Sequence, residues 1–233
     1  MSKPVIKVDI VSDVVCPWCF IGKRRIEKAM MALDHEFDFD VSYLPFQLNP
    51  QTPQEGFNQK EYLSKKFGGY EKYDEITRHV TRVAVEEGLL FNFDKQLVSP
   101  NTKDAHRVIW FAKKEGKQLA VIEAFMKAYF EQGVDLTKKE NMVAVAASAG
   151  LDATRVASLL DSQEGMQEVN EMEQLNHQRG VSGVPFYIIN NQYGISGAQP
   201  SDVFIQALKQ IGTEVTTTEG EACDVDGTNL LVP

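Results

Sequence analysis

Cysteine is scarce in this chain of 233 residues, which has only three. So few thiols exclude a fold stapled by a disulfide framework and leave sulfur chemistry to a pair and a spare. Basic residues fall short of acidic ones, 24 against 33, for a formal charge of −9. A phosphate backbone needs clustered Lys and Arg to displace its counterions, so nucleic acid is not an expected partner. No apolar run approaches the roughly 20 residues that span a bilayer, and Lys7 and Asp9 interrupt the apolar stretch near the start. Neither a membrane segment nor an export signal is expected, and the location read from this is cytoplasmic.

The 43% of hydrophobic residues suffice for one large domain, or one domain with a sizeable insertion. Residues 5–11 alternate partly and are rich in β-branched side chains, as in a strand buried on at least one face. Pro17 suits a first helical position, and Phe20, Ile21, Ile26, Met30 and Leu33 follow at helical spacing. Residues 37–46 read as a second strand, broken by the Pro-rich, polar stretch 49–56. The pattern then turns helical over 70–87, 102–116, 119–133, 139–149, 154–161 and 165–179, with 89–93 as a candidate short strand. Strand signals return at 184–189 and 193–196 around an Asn190-Asn191 turn, and Ser201 opens a last amphipathic helix through Ile211. The organisation is therefore 1–58 with 180–212 as one discontinuous domain, 59–179 as an inserted helical domain, and 213–233 as an extended tail. No internal repeat is present.

Cys16-Pro17-Trp18-Cys19 stands between the first strand and the first helix. A helix N-terminus favours a thiolate on the leading cysteine, and a second cysteine one turn on can close a disulfide with it. Cys16 is the candidate nucleophile and Cys19 the resolving thiol, acting through a mixed disulfide. A zinc half-site is the alternative, but zinc wants four ligands and no second Cys or His pair accompanies these two, so no metal is expected. Gly183-Val184-Pro185 precedes the late strand. A cis Val184-Pro185 bond beside the thiols would expose the Val184 backbone to a substrate strand, whereas a lone proline is more often a plain strand-edge residue.

The stretch Ser12 to Cys19, with Gly183-Val184-Pro185-Phe186, resembles the DsbA family of thioredoxin-fold oxidoreductases, and within it the FrnE-like branch related to 2-hydroxychromene-2-carboxylate isomerase. The likeness spans nearly the whole chain, including Ala105-His106-Arg107 and the closing helix. It implies an α/β, thioredoxin-like fold with a large inserted all-helical domain. It also implies thiol–disulfide exchange with protein or small-molecule partners, and no cofactor beyond the Cys16–Cys19 pair, with glutathione a candidate co-substrate. Trp18 stands where the exported members carry His, so their strong oxidising power is not carried over.

Other residues have two readings each. Asp9 and Asp13 lie upstream of Cys16, and a carboxylate there can act as acid or base, although capping or a solvated role is the commoner one. Trp18 serves as an apolar platform for substrate or packs on the helical region; Pro17 and Val184 with Pro185 complete the substrate-binding set. His106 is a candidate acid or base, its more common fate being structural. Phe111, Phe125, Met126, Tyr129 and Phe130 read as core. Cys223 reads as a spare thiol, and Asp224–Gly227 lacks the spacing of a calcium loop. Two further functions compete with disulfide exchange: a glutathione-dependent isomerase or transferase of an aromatic metabolite, and a peptide-binding chaperone without chemistry.

Overall fold

A computed structural model describes residues 3–221. Strand β1 (Val5–Ser12) leads through the cysteine motif into helix α1 (Pro17–Ala32), and β2 (Asp38–Pro45) returns parallel to β1. A long helical stretch follows: α2 (Gln59–Phe67), α3 (Tyr70–Glu86), α4 (Lys103–Lys114), α5 (Gln118–Lys127), α6 (Lys139–Ser148), α7 (Ala153–Leu160) and α8 (Met166–Gln178). The chain then forms β5 (Phe186–Ile189), β6 (Tyr193–Ser196) and α9 (Ser201–Glu221), while β3 (Phe57–Asn58) and β4 (Val98–Ser99) make a separate two-stranded ribbon within the helical stretch. The main sheet has the order β2-β1-β5-β6, with β5 antiparallel to β1 and β6 antiparallel to β5. This is a thioredoxin-like α/β fold carrying many added helices.

A strand in the middle of a sheet covered on both faces should be apolar on both. β1 obeys this: Ile6, Val8 and Ile10 enter the main core with Tyr187 and Ile189, while Val11 points to a second cluster with Phe46, Val181 and Ile188. Helix α1 lies close on the sheet because position 22 is glycine. A Cβ there would stand 2.2 Å from the Tyr187 hydroxyl and 3.2 Å from Pro185 Cγ, a clash that only glycine avoids. The core does not stop at the helical stretch. The Phe20 ring stacks on Phe91 at 5.9 Å, and Phe91 on Phe130 at 4.7 Å, tying α1 to the loop after α3 and to the π-helical turn Ala128–Gln132.

Three local expectations change. The closing helix does not stop at Ile211, and residues 213–221 are helical rather than extended. Gly212 sits against the Phe37 ring, where a Cβ would approach to 2.4 Å. Thr213 satisfies its hydroxyl on the Lys209 carbonyl one turn back, at 2.8 Å. Residues 89–93 form no strand; a 3₁₀ turn, Phe93–Lys95, follows instead. Helix α2 was not foreseen; Asn58 caps it by accepting from the Glu61 N–H at 3.1 Å. Cys223 and the Asp224–Gly227 stretch lie outside the described residues.

Candidate active site

The site is assembled at the point where β1 ends. Cys16 is the N-cap of α1 in an extended conformation, φ −91° and ψ 112°, and Pro17 occupies the first helical turn. Its fixed φ and missing N–H suit a position where the N–H has no helical partner. The Cys16 N–H donates to the Asp13 carbonyl at 3.1 Å, and the Cys19 N–H donates to the Cys16 carbonyl at 3.0 Å. The loop thus fixes both cysteines at the N-terminal end of α1. Both cysteines are free thiols, and both are buried, Cys16 at 4% and Cys19 at 2% exposure.

The two thiols are not equivalent. Burial, first, and then the hydrogen bond and charge of Cys16 push Cys19 well above the ordinary cysteine range; the Ser12 hydroxyl and the Asp13 backbone pull the other way and are outweighed. Cys19 is therefore held as the protonated partner. Cys16 has a separate contact: its Sγ lies 3.6 Å from the Val184 carbonyl oxygen. The Val184-Pro185 bond is cis, and Pro185 immediately precedes β5.

Asp13 is the best-connected polar side chain of the loop. At 1% exposure, it accepts from the Leu48 N–H at 2.8 Å and, more weakly, from the Val15 N–H at 3.4 Å. His106 on α4 approaches it from the helical stretch, with Nε2 3.6 Å from Asp13 Oδ1 and 3.1 Å from the Phe46 carbonyl oxygen. Asp9, the other upstream carboxylate, is turned to Lys7 Nζ at 3.0 Å.

Trp18 is half-buried, packs on the main core and carries the His79 ring at 6.1 Å. Its two sequence readings are therefore compatible, since it also walls a cavity of about 160 Å³ together with Pro17, Val15, Ile76, Val80 and Phe130. Cys16, Pro17, Trp18, Cys19, Asp13, His106, Val184 and Pro185 all fall in one region. Among the described residues no cluster of His, Cys, Asp and Glu has metal-binding geometry, and no helix is long and apolar enough to cross a membrane.

Two features had no sequence signal. Tyr187 places a buried hydroxyl without a hydrogen-bond partner near the thiols, and burial, then the charge of Cys19 and Cys16, pushes it well above the usual tyrosine range. Gln59, Gln96 and Tyr129 join in a buried polar array behind the cavity: Gln59 donates to Gln96 at 2.7 Å, Tyr129 donates to Gln59, and Gln96 donates to the Phe130 carbonyl at 3.3 Å. Such an array is a meeting of three chain segments, which no local pattern announces.

Comparison with known proteins agrees with this architecture. An uncharacterised protein of Bacillus subtilis (strain 168), YwbO, is 27% identical over 206 residues, covering 87% of this chain and 96% of its own. The crystal structure of a probable DsbA oxidoreductase from Streptomyces coelicolor superimposes with a TM-score of 0.84 at 31% identity, covering 97% of this chain and 94% of that one. The cytosolic disulfide reductase DsbM of Pseudomonas aeruginosa, solved with GSH, shares the fold at 16% identity, with a TM-score of 0.62 over 88% of this chain and 98% of its own. Residues 7–209 match the DSBA-like thioredoxin domain as a family, and this chain belongs to that family.

Proposed function

We propose that the protein is a thiol–disulfide oxidoreductase working through Cys16 and Cys19. The observation that carries this is the asymmetry of the pair: a helix-capping Cys16 against the Val184 carbonyl, and a buried Cys19 held protonated. In the reductive direction the Cys16 thiolate attacks one sulfur of a substrate disulfide, the S–S bond breaks, and the first substrate thiol leaves. Cys19 then attacks the Cys16 sulfur of the mixed disulfide. The second substrate thiol departs, taking up the proton that Cys19 gives away, and the pair is left oxidised. The oxidative direction runs the same steps backwards.

Pro17, Trp18, Val184 and Pro185 are the substrate-facing set in this reading, with the Val184 backbone pairing to an extended substrate. Asp13 and His106 act as positioning groups. The carboxylate is spent on Leu48, Val15 and His106, while the Asp13 backbone touches both cysteines. Glutathione is the proposed co-substrate, a choice in keeping with the GSH in the Pseudomonas reductase structure. The cytoplasmic assignment belongs to the same proposal and is in keeping with the cytosolic Pseudomonas reductase that shares the fold. So does the division into 1–58 with 180–212 and 59–179: the four strands of the main sheet lie in the first unit and α2–α8 in the second.

The test is exchange with bis(2-hydroxyethyl) disulfide followed by mass spectrometry. Cys16→Ser should abolish it, and Cys19→Ser should stop at a covalent mixed disulfide on Cys16. An isomerisation that survives loss of Cys19 would overturn the reading in favour of a glutathione-dependent isomerase, and peptide holding unchanged in the double variant would favour a chaperone.

A further inference from the structure

The cavity beside Pro17 and Trp18 has a size and a lining that select a ligand. About 160 Å³ is close to the engineered cavity of about 150 Å³ that accepts a benzene: it holds one ring. Walls from the loop 13–18, the loop 48–52, α2, α3, the stretch 93–102 and the π-helical turn line it, and a space of this volume suits a ring better than a length of polypeptide.

The lining is also nearly free of charge. Its ionisable groups are Asp13, already engaged by two N–H groups and His106, Lys66, exposed on α2, and the phenols Tyr62, Tyr73 and Tyr129. Gln59, Gln96 and Tyr129 at the back are hydrogen-bonded to one another, so they do not call for a charged group. A carboxylate or ammonium pushed among Val80, Ile76, Phe130 and Trp18 would lose its hydration with nothing to replace it. Cys16, Val184 and Pro185 do not line the cavity, whereas Val15 and Pro17 on either side of Cys16 in the chain do, so arm recognition beside the motif and backbone pairing at Val184 are separate subsites.

We propose that this cavity is the subsite for an uncharged, ring-sized arm borne by the sulfur that Cys16 attacks, making the preferred substrates small disulfides with a benzyl-like group. The inference rests on the exchange reading. Reduced enzyme, the electron donor, takes R–S–S–R′ to two free thiols and becomes the Cys16–Cys19 disulfide, so no other reductant enters a single turnover.

The experiment compares single-turnover oxidation of reduced wild-type protein by benzyl 2-hydroxyethyl disulfide and by bis(2-hydroxyethyl) disulfide. Both release alkyl thiols, so intrinsic leaving-group differences are small, and burying a ring should favour the benzyl compound roughly 10- to 100-fold. Leu63→Trp, which fills the cavity from α2, should cut that ratio about tenfold. Because a filled cavity can also disturb folding, wild-type protein is tested with benzyl alcohol, which should slow the benzyl disulfide and spare the hydroxyethyl one. Equal rates for the two disulfides, or a benzyl preference untouched by both Leu63→Trp and benzyl alcohol, overturn the subsite and leave exchange standing. Oxidation by neither disulfide removes the exchange reading, and the inference with it.

Discussion

His106 Nε2 lies 3.1 Å from the Phe46 carbonyl oxygen and 3.6 Å from Asp13 Oδ1. A carbonyl oxygen only accepts, so Nε2 carries the proton. One ring thereby joins α4, the residue after β2 and the loop that presents the cysteines.

Asp13→Ala leaves the Leu48 and Val15 N–H groups without their acceptor. The reduced protein should lose about 1–3 kcal/mol in urea denaturation. As Asp13 positions the loop, the mixed disulfide should also persist longer than in wild type under quenched-flow alkylation. Lost stability with unchanged resolution would leave Asp13 a purely structural residue.

The raised Cys19 thiol makes the reduced form sensitive to alkali. Folding keeps Cys19 protonated to a higher pH than in the unfolded chain, so its contribution is fully present below an unfolded value of about 8.5 and is lost as pH rises beyond it. Thermal unfolding between pH 7 and 9.5 should show the melting temperature of the reduced protein falling relative to that of the oxidised protein. Parallel curves would contradict the assigned asymmetry of the thiols.

Gly22 and Tyr187 form a packing pair open to a double-mutant test. Gly22→Ala should cost about 1–3 kcal/mol, because its Cβ meets the Tyr187 hydroxyl at 2.2 Å. Tyr187→Phe removes a buried hydroxyl that has no partner and should be near neutral or mildly stabilising. In the double variant most of the loss should be recovered; additive losses in denaturant melts would mean that Pro185 and Ala198, at 3.2 and 3.3 Å, dominate the clash.

Glu123 on α5 supplies an acid-sensitive tie between α5 and α1. Burial pushes its carboxyl up, but the Arg24 hydrogen bond and Lys23 outweigh that and bring it down to about 2 from 4.5. A depressed carboxyl stabilises the fold above its unfolded value and loses that effect as pH falls through the folded one. Melting temperatures from pH 5 to 2 should therefore drop more steeply for wild type than for Glu123→Gln.

The sequence showed its periodic elements and the placement of its cysteine pair at the start of α1 clearly. β1, α1 and β2 follow from alternation, a first-turn proline and helical spacing, and the late β5–β6 hairpin from its Asn190-Asn191 turn, where both residues take positive φ. What stayed hidden depends on tertiary neighbours. The closing helix reads as ending at Ile211, while in the fold it continues past Gly212, which packs against Phe37. Asp13 and His106, 93 positions apart in the numbering, are weak candidates singly and become a pair only when α4 docks on the loop. The Gln59, Gln96 and Tyr129 array has no sequence period at all.

The rings of Phe20, Phe91 and Phe130 have a consequence for how the molecule can be dissected. Phe20 directly follows Cys19, and its ring rests on residues of the helical stretch. Excising that stretch to leave a minimal sheet with α1 and α9 would strip the floor from under the residue next to Cys19. The added helices are thus not an ornament bolted to a self-sufficient redox domain; they supply part of the bed on which the second thiol is held.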